Sequence, residues 1–333
     1  MSKVLSVSVA SYNVEQFIKQ NMDSFIGTEV SSKIEVLIID DGSKDQTAAI
    51  AQEYQEKYPE TIRLIQQANA GAGSTVNTGL RHAVGKYFRM VDGDDWVNKE
   101  DLVKYIRFLE ENDVDVVYTD YCLVDNETGE MVPQRIDFEQ KNVILPYDEV
   151  GSKVEVVMHN VTYKTSVLKD NGFVMDNGFY TDTEYLLFPV KYLNTVCVLD
   201  CLIYMYRVSL ATQSVNINSM IRNRKMFDLV LEHLIEDYIK AKNDGLLSSE
   251  KISMIRSRIV SLCGTKISII LAQKPCKETL NELKVYEKWL YEKDADIYAR
   301  FLKYRTMRVL KNTGYLGFYP VSWMHRIREK VDR

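Results

Sequence analysis

The 333-residue sequence has little of what marks disulfide-rich, zinc-binding, secreted or membrane-spanning proteins. It has five cysteines, with no Cys-x-x-Cys pair and no histidine cluster beside them. An odd, scattered set of this kind predicts reduced thiols and not a disulfide framework. No stretch reaches the roughly 20 apolar residues that a spanning helix needs. The first residues have no long apolar segment with a cleavage site, so we expect a cytoplasmic protein.

The sequence also lacks an excess of basic charge. Its formal net charge is -5 and its pI is about 5.6, whereas proteins that bind nucleic acid generally present a basic surface. We therefore expect no nucleic-acid partner and look instead to small molecules or glycans. A hydrophobic content of 46% is enough for a substantial core.

Apolar runs alternate with helical patterns along the first third of the chain. The runs that predict strands are residues 4–10, 34–39, 62–65, 87–91 and 115–120. Helices are predicted near 14–26 and 45–58, after the glycine-rich loop up to about residue 85, and between the fourth and fifth strands. This alternation predicts an α/β fold with a mostly parallel, doubly wound sheet. A helix near 182–193 follows, and beyond residue 219 the pattern is almost wholly helical.

Polar residues follow the predicted strands where each strand ends. These are Tyr12 and Asn13, Asp40 and Asp41, the glycine-rich residues 71–77, and Asp92 through Asp95. In open α/β sheets ligands bind outside the carboxyl ends of the strands. The sequence therefore predicts that the four segments line one crevice.

The segment Asp92-Gly93-Asp94-Asp95 places three carboxylates within four residues. Carboxylates held in a tight turn are ligands for Mg²⁺ or Mn²⁺, and these ions bridge to substrate phosphates. The alternative interpretation is a solvated turn. Residues 40–43 are predicted to form a turn that leads into the next helix, which Ser43 or Asp45 would cap, and a carboxylate there can at the same time accept hydrogen bonds from a nucleobase or ribose. The loop 69–74 suits close backbone approach to an anion.

Taken together, these motifs resemble the family-2 inverting glycosyltransferases, whose N-terminal fold is called GT-A. The matching pieces are residues 9–13, 40–43, 69–71, 77–79 and the Asp-x-Asp formed by Asp92 and Asp94. The resemblance implies a GT-A nucleotide-sugar-binding domain over residues 1–215, with a nucleotide-binding half (1–122) and an acceptor-side half (123–215). Residues 216–333 would form a helical C-terminal subdomain with a basic tail.

The resemblance also implies roles for particular residues. Asp94 would bind Mn²⁺ or Mg²⁺, and Asp92 would contact the metal or the ribose. The implied nucleotide-binding residues are Ser11, Tyr12, Asn13, Asp40, Asp41, Asn69, Gly71, Asn77, Asp92 and Gly93.

A catalytic base is expected about 90 residues further on, at the start of a helix. Asp182 occupies that place, although Thr181 stands where the family usually has glutamate. Glu184 is the alternative base, and a simple helix cap is the alternative role for Asp182. Such a carboxylate would take the proton of an acceptor hydroxyl during a single in-line displacement.

The implied reaction is transfer of a sugar from a nucleoside-diphosphate sugar, expected to be a UDP-sugar, to a glycan or lipid-linked saccharide in surface polysaccharide synthesis. The alternatives are a sugar-1-phosphate nucleotidyltransferase and a non-catalytic glycan-binding descendant. Weaker candidates for contact with the diphosphate or the acceptor are His159, Lys164, Arg207, Gln213 and Ser214. Arg207 could equally be an ordinary surface arginine.

The residues from Arg300 onward differ in charge from the rest of the chain. This segment contains nine basic residues and only two acidic ones, Glu329 and Asp332, with aromatic residues interspersed. This composition suits peripheral contact with an anionic membrane, at the inner face of the cell membrane. A helix packed on the protein body with a solvated basic face is the alternative.

Overall fold

The computed structural model describes residues 2–210 and 217–331. The chain divides into two compact units, residues 1–211 and residues 212–333, and each is described here by itself. Among the described residues, no helix is long and apolar enough to cross a membrane.

The first unit is a layered α/β structure. Its strands are β1 (Leu5–Ser11), β2 (Ile34–Asp40), β3 (Ile62–Gln66), β4 (Tyr87–Asp92), β5 (Trp96–Val97), β6 (Val116–Asp125), β7 (Met131–Gln134), β8 (Ile144–Pro146), β9 (Val161–Lys164) and β10 (Thr195–Val208). Its α-helices are α1 (Ile18–Asp23), α2 (Thr47–Lys57), α3 (Ala72–His82), α4 (Lys99–Glu111), α5 (Tyr147–Val150), α6 (Thr165–Lys169) and α7 (Asp182–Leu187).

The strands form one sheet in the order β3-β2-β1-β4-β9-β6-β10-β5, with β7 on β6 and β8 on β10. Strands β3, β2, β1 and β4 are mutually parallel, as are β6 and β10. Because parallel strands end at the same edge, the loops after β1, β2, β3 and β4 meet there. The predicted α/β fold is confirmed, while the short strand β9 inserts antiparallel between β4 and β6.

Close packing holds α3 against β1. Gly79 of α3 faces β1 so tightly that a Cβ there would lie 2.0 Å from the Ser8 hydroxyl oxygen. Any side chain would therefore push the helix away from the sheet.

Two helices differ from their predicted lengths. The helix expected over 14–26 is only Ile18–Asp23. The helix expected over 182–193 ends at Leu187 and continues as a 3₁₀ turn, Phe188–Tyr192. Pro189 explains the second difference, because it has no N–H to donate and so cannot form the hydrogen bond that would continue the α-helix.

The second unit consists of helices among its described residues. They are α8 (Ile217–Arg222), α9 (Arg224–Asn243), α10 (Ser249–Ala272), α11 (Lys277–Lys293), α12 (Ala295–Phe301), α13 (Arg305–Asn312) and α14 (Phe318–Val331). Inside this unit the buried Lys266 of α10 pairs with Asp228 at 2.7 Å and Glu282 at 3.1 Å. The pairing offsets the cost of burying that charge.

Candidate active site

Strand β4 ends in a tight acidic turn, residues 92–95. The Asp95 N–H donates to the Asp92 carbonyl at 3.1 Å, and the Gly93 N–H donates to the Ala10 carbonyl of β1 at 2.9 Å. A Cβ on Gly93 would lie 2.8 Å from that same carbonyl oxygen. Glycine is therefore required for the turn to lie against β1, and the turn carries three carboxylates to the edge of the sheet.

One of the three carboxylates, that of Asp95, is buried and used to hold the turn. The Tyr204 hydroxyl donates to Asp95 Oδ2 at 2.6 Å and accepts the Asp92 N–H at 3.1 Å. The Arg207 N–H donates to Asp95 Oδ1 at 2.7 Å. Strand β10 thus fixes the acidic turn from one side, a role that the sequence analysis did not assign to Tyr204 or Asp95.

Burial raises the pKa of all three carboxylates in the turn, and neighbouring negative charges add to the effect at Asp92 and Asp95. Desolvation, with the negative charges of Asp94 and Asp182, raises the pKa of Asp92 to about 7. Desolvation also raises the pKa of Asp94, against the opposing charge of Arg207, and raises that of Asp95 well above its usual range. A bound cation would relieve this repulsion, because it stabilises the ionised form of every carboxylate near it.

His159 lies beside the acidic turn. One of its ring nitrogens and a carboxylate oxygen from each of Asp92 and Asp95 all lie within 4.8 Å of one another. The ring stacks on Tyr206 with 4.0 Å between centroids. Desolvation, with the charge of Arg89, lowers the pKa of His159 to about 3, so the imidazole is neutral. Two carboxylates and a neutral imidazole fit a divalent cation such as Mn²⁺.

A buried arginine binds the backbone of His159. Arg89 of β4 is 1% exposed, donates from Nη1 to the Thr162 hydroxyl at 3.0 Å, and donates from Nη2 to the His159 carbonyl oxygen. It therefore fixes the backbone that carries the imidazole. The sequence signal for this residue is a single cation inside an apolar strand, and that signal alone does not predict its contact with His159.

Several predicted nucleotide-binding residues hold loops together in the structure. The Asp41 carboxylate accepts the Gly71 N–H at 2.8 Å and the Ala70 N–H at 3.0 Å, so it shapes the glycine-rich loop. Asn13 has a positive φ of 53°, and its side-chain oxygen accepts the Lys44 N–H at 2.8 Å. These bonds draw the loops after β1, β2 and β3 together.

Four further residues predicted to bind the nucleotide lie at the same edge of the sheet, two of them buried and two exposed. Asp40 is buried and accepts the Ser43 N–H at 3.1 Å, and Ser11 is also buried. The Tyr12 side chain is 50% exposed, and Asn69 is exposed. The exposed pair leaves an aromatic ring and an amide at the rim of the crevice.

The segment 175–182 packs directly on the glycine-rich loop. The Asn77 side chain donates to the Met175 carbonyl at 2.8 Å and accepts the Met175 N–H at 2.9 Å. A Cβ on Gly73 would lie 1.8 Å from the Asp176 carbonyl oxygen. The structure thus places Asn77, predicted as a nucleotide contact, against the backbone of the segment that leads to Asp182.

The two candidate bases differ in environment. Asp182 begins α7, is partly exposed, and contributes to the raised pKa of Asp92, so it lies in the same electrostatic cluster. Glu184 is fully buried and accepts the Asp176 N–H at 2.7 Å. Desolvation raises the pKa of Glu184 to about 8. This environment favours Asp182 as the group that can meet a substrate.

The weaker candidates fall in different places. Arg207 donates from Nε to the Asp94 carbonyl at 2.9 Å and lies between the rings of Phe17 and Trp96, 4.7 Å from each centroid. Lys164 pairs with Asp113 at 2.7 Å.

Lys164 lies opposite Tyr87 in the sheet, five residue steps or about 16 Å along the strand from Asp92, and its contact with the diphosphate or the acceptor stays a prediction. Gln213 and Ser214 lie outside the described residues.

The sequence matches the profile of glycosyl transferase family 2 over residues 6–171, the region that contains β1 through β4 and the acidic turn. Through this region the chain belongs to that family. Among relatives, an uncharacterized glycosyltransferase EpsJ of Bacillus subtilis is 28% identical over 217 residues, 62% of each chain. An uncharacterized glycosyltransferase YibD of Escherichia coli is 40% identical over 128 residues, 38% of this chain and 36% of the relative.

These matches therefore span less than two thirds of the length of the relatives. A crystal structure of residues 1–349 of Staphylococcus aureus TarS in complex with UDP has a TM-score of 0.67 at 20% identity, and the match covers 97% of this chain and 91% of that one. At this identity the likeness is one of fold, and it confirms the GT-A architecture of this family-2 member.

Proposed function

We propose that this protein is an inverting glycosyltransferase that moves a sugar from a UDP-sugar to a hydroxyl of a glycan or lipid-linked saccharide. The observation that carries the proposal is the convergence of Asp92, Asp95 and His159 with Asp182 at the carboxyl edge of the parallel strands. The family membership of residues 6–171 supports sugar transfer as the reaction class.

The acidic turn supplies the metal site of this proposal. Asp92, with Asp94 or with Asp95 and His159, would hold Mn²⁺ or Mg²⁺. A divalent ion there supplies Lewis-acid stabilisation of the negative charge that develops on a departing diphosphate. The raised pKa of Asp92 is expected for a buried cluster of carboxylates whose negative charges no cation neutralises.

Asp182 is the general base of the proposal. It stands at the start of α7 with partial exposure, where an acceptor hydroxyl can reach it. The hydroxyl oxygen attacks the anomeric carbon, its proton passes to the Asp182 carboxylate, and the bond between sugar and phosphate breaks with its electron pair on the diphosphate oxygen. One displacement inverts the anomeric centre, and one base is enough.

The donor and acceptor classes are supported by the names of the relatives. Staphylococcus aureus TarS, 28% identical over 212 residues, is a poly(ribitol-phosphate) beta-N-acetylglucosaminyltransferase, and its structure is known with UDP-GlcNAc. A Bacillus subtilis relative, GgaB, is a minor teichoic acid biosynthesis protein. We therefore propose a UDP-sugar donor and an acceptor of the cell-surface glycan class, met at the inner face of the cell membrane.

Isothermal titration of the protein with UDP, with and without Mn²⁺, tests the donor site. We expect UDP to bind tightly only when the metal is present. The absence of heat under both conditions would remove the uridine donor from the proposal.

A screen of UDP-sugars with glycan acceptors tests the reaction itself, with the anomeric configuration of the product read by NMR. Inversion is expected. Retention of configuration would overturn the mechanism, and release of pyrophosphate from UTP and a sugar 1-phosphate would assign the protein to nucleotidyl transfer instead.

A further inference from the structure

The last helix of the second unit, α14, and the turn before it carry an exposed apolar surface. Four residues at helical spacing, Leu316, Tyr319, Trp323 and Ile327, have exposed fractions of 86%, 44%, 62% and 41%. Intervals of three, four and four residues place them on one side of α14 and the turn before it. We call this set the α14 stripe.

The opposite side of α14 packs into the helical unit. Phe318 and Ser322 are fully buried, so the helix is anchored by the face that the stripe does not use. Leucine, isoleucine and tryptophan in an exposed row are costly in water, and such rows mark sites of interaction with a partner or a membrane. The α14 stripe is therefore an outward-facing surface of a docked helix.

The stretch of sequence that contains the stripe carries charge of one sign, and the Glu287 carboxylate that pairs with Lys311 and Tyr315 is buried. No aspartate or glutamate occurs anywhere between residues 297 and 328. Helix α13 buries Met307 and Leu310 and exposes Arg305 and Arg308. Its outward side is therefore basic.

The basic side of α13 and the apolar side of α14 are neighbours. Arg305 and Met324, which is 57% exposed, line the same cavity of about 820 Å³ within the helical unit. Arg305 of α13 therefore lies near the exposed Met324 of α14, the residue that follows Trp323 of the stripe.

We infer that the α14 stripe and the basic side of α13 dock this protein on an anionic lipid bilayer. Aromatic and aliphatic side chains enter the interfacial region, while flanking arginines attract anionic head groups. Protein partners generally surround an apolar contact with a polar rim, whereas the exposed Arg305 and Arg308 complement an anionic surface. The inference rests on the proposed function for its purpose, since a lipid-linked acceptor is presented at such a surface.

Vesicle sedimentation tests the inference with the full chain and needs no catalysis. Vesicles of phosphatidylcholine alone are compared with vesicles that contain phosphatidylglycerol, at low and high salt. We expect binding only to the anionic vesicles, weakened by salt because screening shortens the range of the attraction.

Two sets of substitutions locate the surface. The pair Leu316→Ser and Trp323→Ser should lower the partition coefficient at least about tenfold, since each removes a large apolar side chain from the interface. The pair Arg305→Glu and Arg308→Glu should do the same through charge. A matched control changes two other exposed residues of the same unit, Val285→Ser and Tyr291→Ser, each 59% exposed in the wild type, and should bind like the wild type.

Three results would overturn the inference. They are failure of the wild type to bind anionic vesicles, binding that survives both pairs of substitutions, and a concentration-dependent dimer that the Leu316 and Trp323 substitutions abolish. The last would assign the stripe to a second copy of the chain. UDP titration of the same variants separates this outcome from the proposed function, because the donor site should be intact in all of them.

Discussion

The side-chain amide of Asn77 and the backbone of Met175 are joined by two hydrogen bonds, of 2.8 and 2.9 Å, one in each direction. Asn77 lies in α3, the helix that the glycine-rich loop leads into, and Met175 lies seven residues before Asp182. The pair therefore fixes the segment that bears the candidate base against the loop that is proposed to meet the donor.

Asn77→Ala should lower kcat with little change in UDP affinity. Removing both bonds frees the segment before Asp182, and a displacement of about 1 Å at a catalytic group can cost about 100-fold in rate. We expect kcat to fall between about tenfold and 100-fold and the Kd for UDP with Mn²⁺ to stay within about threefold. Kinetics and titration of the same preparation measure both.

Asn171→Ala is the control for that experiment, because its side chain also bonds to backbone, at the Val167 carbonyl, but outside the crevice. It should leave both constants unchanged. Equal losses of UDP affinity and kcat in Asn77→Ala would make Asn77 a donor contact instead.

Tyr204→Phe should weaken metal binding. The hydroxyl joins the Asp95 carboxylate to the Asp92 N–H, and its loss leaves buried polar groups without this partner, at a cost of roughly 1–3 kcal/mol. We expect a lower Tm and a Kd for Mn²⁺ that rises several-fold, measured by calorimetry and by electron paramagnetic resonance.

Tyr54→Phe is a matched control. The Tyr54 hydroxyl also donates to a carboxylate, that of Asp23 at 2.8 Å, but neither residue belongs to the acidic turn. This variant should lose stability without losing Mn²⁺ affinity. A normal Mn²⁺ affinity in Tyr204→Phe would show that the hydroxyl does not shape the metal site.

Asp182→Asn should abolish sugar transfer, whereas Glu184→Gln should leave it intact. The first removes the proposed base and should abolish turnover while UDP binding is kept. The second replaces a buried carboxyl whose pKa of about 8 keeps it protonated at neutral pH, so an amide of the same shape should preserve activity. Loss of turnover in Glu184→Gln, with full turnover in Asp182→Asn, would exchange the two roles.

Glu184 should also make the stability of the fold depend on pH. Its folded pKa, about 8, lies above its value in an unfolded chain, so the native state holds the proton more tightly. The resulting stability is fully present below the unfolded pKa and is lost as pH rises through about 8.

Differential scanning calorimetry between about pH 6 and pH 9 should therefore show a steeper fall in Tm for the wild type than for Glu184→Gln, because only the wild type must release this proton. Parallel curves for the two proteins would count against the raised pKa.

Binding of Mn²⁺ should strengthen with rising pH up to about neutrality. In the metal-free protein desolvation and the charges of Asp94 and Asp182 raise the pKa of Asp92 to about 7. A cation must displace that proton below this pH, which costs up to about tenfold in affinity per pH unit. Electron paramagnetic resonance titrations at several pH values measure the slope, and an affinity that does not vary across this range would contradict the assignment of Asp92 as a ligand.

The sequence by itself determined the fold class and the position of the acidic turn. Strands β1, β2 and β4 are apolar runs, each buried between helical layers, so their periodicity is strong and their ends are marked by polar residues. The rule that ligands meet the carboxyl ends of parallel strands then brought the loops after β1, β2, β3 and β4 to one edge.

Only the tertiary structure decided which partners the polar residues at this edge contact. Asp41 and Asn77 resemble ligand contacts in sequence. In the structure Asp41 accepts hydrogen bonds from the backbone of the glycine-rich loop and from the Gln67 side chain, and Asn77 pairs with the Met175 backbone. Tyr204 gave no local signal, because it reaches the acidic turn from a strand more than 100 residues further along the chain. His159 was predicted as a contact of the diphosphate or the acceptor, and only the fold places its ring beside Asp92 and Asp95. Periodicity reports which face of an element is buried, whereas the partner of a polar side chain depends on contacts between distant segments that a local pattern does not contain.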